Sequence, residues 1–155
     1  MPTAPKTNDA PTNTPAVAAD PEIVVTRTFD APPEKIFELF TDPKHLIHWW
    51  GGTGTATVSE LDLRVGGTWR IQGDCGPQSH FVFTRIERPN HLEWVHAHGP
   101  QIRGVVTFMP VDGKTEMTAR MIFPNVETFE QASKFGAGEM LNRSFNRMAA
   151  YAATA

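Results

Sequence analysis

The chain is 155 residues long, enough for one domain with a real core, and carries a formal net charge of −3. It lacks the basic excess that neutralises phosphates, so nucleic acid is not an expected partner. A single cysteine, Cys75, excludes an internal disulfide and suits a reducing cytoplasm, and no apolar run approaches the ~20 residues of a membrane span.

Met1–Asp20 is rich in Pro, Thr and Ala and has neither the apolar core of a signal peptide nor the arginines of a transit peptide. It cannot bury enough apolar area to offset its ordering entropy, which predicts a disordered tail ahead of one domain over residues 21–155. Ile23–Phe29 is β-branched and aromatic and reads as a strand. Asp30-Ala31-Pro32-Pro33 stops it and opens a helix in which Ile36, Phe37 and Phe40 recur at helical spacing. Asp42-Pro43 opens a second short helix carrying His45, Leu46, Ile47 and His48 towards Trp49, Trp50 and the turn residue Gly51. Two large adjacent aromatics cannot both enter one core from a regular element. One is expected to line a cavity or groove while the other packs behind it.

Strands are predicted over 55–64, 67–73, 79–87, 91–98, 102–110 and 114–123. They are punctuated by Gly66-Gly67, Cys75-Gly76-Pro77, Arg88-Pro89-Asn90, Gly99-Pro100 and Asp112-Gly113. The short connections predict an antiparallel meander. In strand 79–87, Phe81 and Phe83 have the opposite parity to Ile86, which points to a bulge and leaves open which side chains face inward. Asn125 is placed to cap a helix running to about Tyr151. Phe129, Ala132 and Met140 lie on one side of that helix. Leu141, Phe145, Met148, Ala149 and Ala152 form a stripe on nearly the opposite side. The switch falls at Gly136-Ala137-Gly138, so either the helix breaks there or its early part is a separate loop or lid. A seven-stranded antiparallel sheet cannot bury its inner face alone. A curved sheet gripping the last helix, with the two short helices plugging one end, satisfies that need and leaves a gap suited to a small apolar ligand.

The series Arg27-Thr28-Phe29-Asp30-Ala31-Pro32, Ile36-Phe37, Asp42-Pro43, Trp49-Trp50-Gly51, Asp62-Leu63-Arg64-Val65-Gly66-Gly67, Ile86-Glu87-Arg88-Pro89, Val106-Thr107-Phe108 and Arg147-Met148-Ala149-Ala150-Tyr151 resembles the START-like (SRPBCC) superfamily. Within it, the chain is similar to the bacterial branch named for the activator of the heat-shock-protein-90 ATPase. The resemblance covers about Glu22 to Tyr151 and implies an α+β helix-grip fold. It implies a function only broadly, because this fold serves lipid carriers, polyketide cyclases and dehydratases, hormone receptors and oxygenase subunits. Such proteins often carry Gly-Trp in the last helix, where this chain has Met140-Leu141.

Candidate ligand-binding residues are Trp49, Trp50, Trp69, Ile71, Trp94, His96, Val106, Phe108, Met117, Met121, Met140 and Leu141. Most alternate with polar residues on strands, a pattern shared by plain core and by cavity wall. His96 has the parity of Leu92 and Trp94 and is expected to point inward; it and His80 are the candidate acid/base groups. His45 and His48 can share a helix face, and Asp62 and Arg64 are expected to pair beside the Gly-Gly turn. No metal-ligand spacing, phosphate loop or nucleophile elbow is present, so neither metal nor cofactor is expected. The first reading is a binding domain, monomeric or homodimeric, for a lipid, polyketide or aromatic metabolite. The second is a cyclase-, dehydratase- or hydrolase-like enzyme using a pocket histidine, and the third a chaperone-interaction module.

Overall fold

A computed structural model describes residues 20–50, 56–73 and 78–154. The expected disordered tail up to residue 19, the Gly51 turn and the Cys75-Gly76-Pro77 turn lie outside them. Strand β1 (Glu22–Phe29) leads into helices α1 (Pro33–Thr41) and α2 (Pro43–Leu46). Strands β2 (Ala56–Leu61), β3 (Thr68–Gly73), β4 (Ser79–Glu87), β5 (His91–His96), β6 (Arg103–Val111) and β7 (Lys114–Ile122) follow. Helices α3 (Val126–Lys134) and α4 (Ala137–Ala152) complete the chain. The strands form one seven-stranded antiparallel sheet in the order β1-β7-β6-β5-β4-β3-β2. This is the expected α+β helix-grip fold.

The two edge strands, β1 and β2, are consecutive in sequence, so α1 and α2 must carry the chain across the sheet from one edge to the other. Pro33 stands in the first turn of α1, where a missing N–H costs nothing, and Ile36, Phe37, Leu39 and Phe40 are buried on its inner face. Phe37 and Phe40 lie 5.5 and 6.0 Å from the ring of Phe108 on β6. Pro43 stops α1, and Asp42 then caps α2, its carboxylate accepting from Lys44 N–H at 2.9 Å.

Two bulges set the facing of the side chains. The register slips between Phe83 and Arg85 in β4, which lets Phe81 and Phe83 face inward and still leaves Ile86 against the core. A second slip, between Val58 and Glu60, lies in β2. β2 ends at Leu61 rather than at residue 64. Asp62 and Arg64 are drawn into the turn, where Arg64 N–H donates to Asp62 O at 2.8 Å. Their exposed side chains still pair, at 2.7 Å.

The last helical stretch is broken. Asn125 caps α3 by accepting from Thr128 N–H at 2.8 Å, but no residue of α3 is buried. Gly136, at φ 83°, takes the left-handed turn that ends α3 and starts α4. Only α4 presents the apolar stripe inward, burying Phe145 and Met148. Arg27 on edge strand β1 donates to Asn146 Oδ1 at 2.5 Å, and Tyr151 at the far end meets His45 Nδ1 at 2.7 Å. His48 stacks on the same tyrosine ring at 4.9 Å, so the 45/48 pair clamps α4.

Phe37 is fully enclosed, whereas Phe135, at the C-terminus of α3, is 85% exposed. Phe37→Ala is expected to lower unfolding stability by about 3–5 kcal/mol, and Phe135→Ala by less than about 0.5 kcal/mol. Urea denaturation of both variants checks the pair.

Candidate functional site

Between the inner face of the sheet and α4 lies a cavity of about 280 Å³. The sheet contributes Phe81, Trp94, His96, Val106, Ala119 and Met121. The helices contribute Phe40, Ala132, Ala137, Met140, Leu141, Ser144 and Phe145, and Trp49 and Trp50 stand where α2 delivers the chain. Its wall is mainly apolar and largely aromatic.

The two tryptophans differ in role. Trp49 is buried, its Nε1–H donating to Leu39 O at 2.9 Å, with Phe40 and Phe145 at ring distances of 5.0 and 6.2 Å. Trp50 is half-buried and packs edge-on against Trp69 at 5.0 Å. Trp94 sits across from Gly104 in the β5–β6 pairing, and a Cβ on that glycine would lie 2.2 Å from the indole. Glycine at 104 is therefore what allows Trp94 to lie flat along the cavity wall.

Eight of the twelve ligand-binding candidates line this space: Trp49, Trp50, Trp94, His96, Val106, Met121, Met140 and Leu141. Trp69, Ile71, Phe108 and Met117 face the same side of the sheet but are packed as core, each no more than 1% exposed. Trp69 lies flat against Phe83 at 5.6 Å and is boxed in by Phe81, Trp94 and Trp50, while Phe108 lies under α1. An inward direction is common to both groups; what separates them is whether neighbouring rings or α1 fill the space over the position, as Trp50 and Phe81 do at Trp69 and α1 does at Phe108, or α4 stands off it.

His80 is not at the cavity. Since Phe81 and Phe83 face in, the intervening parity turns His80 to the outer face, beside its register partner Arg70 and 5.1 Å from the His98 ring. Its pKa is held below the ordinary histidine range by burial first and by Arg70 second. His96 does face the cavity. Its ring meets Phe81 edge-on at 4.9 Å, and burial alone pushes its pKa down, so it is neutral at neutral pH. The imidazole forms no hydrogen bond with another described residue, and the same holds for the hydroxyls of Ser79 and Ser144. Sequence reading passed over both serines. Ser79 shares the parity of Phe81, and Ser144 interrupts the α4 stripe beside Phe145. Among the described residues no cluster of three His, Cys, Asp or Glu is arranged to hold a metal ion. No helix there is long and apolar enough to cross a membrane.

The sheet, the gripped helix and the cavity between them define the class as START-like. The chain belongs to the Activator of Hsp90 ATPase homolog 1-like protein family, whose profile matches residues 30–153. It is similar in structure to a protein from Arthrobacter aurescens (TM-score 0.74, 25% identity, covering 86% of this chain and 87% of that one). A protein from Mycobacterium smegmatis matches with TM-score 0.72 and 27% identity over 83% of this chain and 88% of that one. A protein from Nitrosomonas europaea, 18% identical, shares the fold over 87% and 96% of the two chains with TM-score 0.74. No curated protein matches. Fold and family are those of ligand-binding or chaperone-associated modules.

Gly104→Ala is expected to push Trp94 out of its place, lowering stability by about 1–3 kcal/mol and changing the cavity shape. Denaturant unfolding and the near-ultraviolet tryptophan signal report the two effects. His96, followed by NMR, is expected to titrate below the ordinary value of 6.5. The unfolded chain then takes up the proton first as pH falls. The stability contribution is complete above about pH 6.5 and is lost as pH drops through the folded pKa. His96→Leu is expected to flatten that part of the stability–pH curve.

Proposed function

We propose that this protein binds a small hydrophobic molecule in the cavity between the sheet and α4. The observation that carries the reading is the combination of aromatic walls and unfilled space in an otherwise close-packed core. Interiors pack to crystal-like density, and an apolar void between Trp94, Phe145 and Leu141 is stability left unused unless something occupies it.

The geometry supports carriage over catalysis. A general base needs a partner that fixes its tautomer and aims it, and His96 has neither a carboxylate nor a backbone carbonyl in that role among the described residues. His80, the other acid/base candidate, faces away. The chaperone reading draws on the family description alone.

Leu141 is the position that tests the placement of the site. It is half-buried on α4 at the cavity wall. Leu141→Trp is expected to fold, since the added ring enters empty space, and to weaken binding of an apolar fluorescent dye at least several-fold. If the variant unfolds, or binds dye as well as the parent, the cavity is not the site. Native mass spectrometry of the protein purified from its own host is expected to show a retained small molecule on the unmodified chain.

A further inference from the structure

The polar groups facing the cavity are few, and two of them belong together. His96 on β5 pairs in register with Phe81 on β4, and Ser79 lies two residues before Phe81 on the same face. Ser79 and His96 are thus diagonal neighbours across one strand pair, with Cβ atoms about 7–8 Å apart or somewhat less, close enough for one ligand atom to approach both. Both side chains lack hydrogen bonds to the described residues, whereas the nearby wall is Phe81, Trp94 and Trp50.

Among the described residues, no charged side chain points into this corner. The charged residues at the cavity are Arg103 and Arg120. Arg120 is held on the outer face by Glu22, at 2.6 and 3.0 Å. Arg103 neighbours Gly104, whose Cβ direction is towards Trp94, so alternation turns the arginine outward. An ionised ligand group would find no counter-charge there among the described residues, and it would lose its hydration. The sheltered space matches a small ring system: about 280 Å³ encloses roughly ten to fourteen non-hydrogen atoms at ~20–30 Å³ each.

Resting on the binding reading above, we propose that the ligand is a one- or two-ring apolar molecule with one neutral hydroxyl or carbonyl group, docked ring-first among the aromatics with that group at His96 and Ser79. Neutral imidazole and serine hydroxyl each donate and accept, so the corner recognises the presence of the polar group and not one hydrogen-bond polarity. A carboxylate would be disfavoured at this corner.

The test compares three probes of one shape, naphthalene, 2-naphthol and 2-naphthoate, by NMR titration of the full chain near neutral pH. The expected order has 2-naphthol about three- to tenfold tighter than naphthalene, the value of one neutral hydrogen bond, and 2-naphthoate weakest. Contacts between the ring protons beside the naphthol hydroxyl and the His96 ring are expected in nuclear Overhauser spectra of the unmodified protein. His96→Leu is expected to erase the preference for naphthol and leave naphthalene affinity within about twofold; Ser79→Ala serves as the second variant and should reduce the preference. Equal affinity for naphthalene and naphthol, with no contact to His96, overturns the docking corner while leaving the apolar pocket standing. Tightest binding by naphthoate overturns the neutrality. Failure of both naphthalene and naphthol to bind overturns the pocket reading and this inference together.

Discussion

The indole of Trp49 is the constraint on which the site depends. It is a large ring with one polar atom, and it is enclosed almost completely. Burying it requires a partner for its N–H, which Leu39 O near the end of α1 supplies. That bond fixes the angle at which the chain leaves α2, because Trp49 is three residues past Leu46. The ring then serves as a spacer between Phe40 of α1 and Phe145 of α4. With Arg27 and Tyr151 pinning α4 to β1 and α2, the helix is held across the concave face and kept off part of it. The cavity is the consequence of that standoff.

Much of the fold was legible in the sequence because its signals are local. Alternating apolar residues and short Gly, Pro and Asn connections are enough to imply a meander. The parity conflict of Phe81 and Phe83 with Ile86 announced the β4 bulge that the register contains. The switch of apolar face at Gly136 announced the helix break, and the left-handed φ there explains it. What local signals lacked was the end of β2: Asp62 and Arg64 alternate like strand residues, but the turn that precedes β3 takes their backbone.

The site was legible in direction and not in depth. Alternation says which side chains face inward, and it placed His96 and Trp94 on the face they occupy. It cannot say over which inward positions other rings or a helix will close, and so Trp69, Ile71, Phe108 and Met117 read the same as Trp94 although they are sealed core. The facing of His80 was left open for a related reason. Its facing depends on which side of the bulge sets the inward parity, and that is a tertiary choice made by Phe81 and Phe83 packing on Trp69. Gly104 carried a signal that sequence alone leaves mute: only the register shows that the residue opposite Trp94 must lack a side chain.

The energetic standing of the cavity argues for a use. Core packing that the wall residues could make against one another is not made across this space, and apolar ligand atoms placed there would recover part of it. A single larger residue at Leu141 would recover part of it, and the fold plainly tolerates large aromatics along this wall. The wall that can give way is also identifiable. The sheet side is locked by ladders and stacked rings, whereas α3 buries no residue and joins α4 through one left-handed glycine. Elements with few buried contacts open at low free energy. Entry to the cavity by displacement of α3, with Ala132 moving off its edge, therefore asks less of the structure than any route through the sheet.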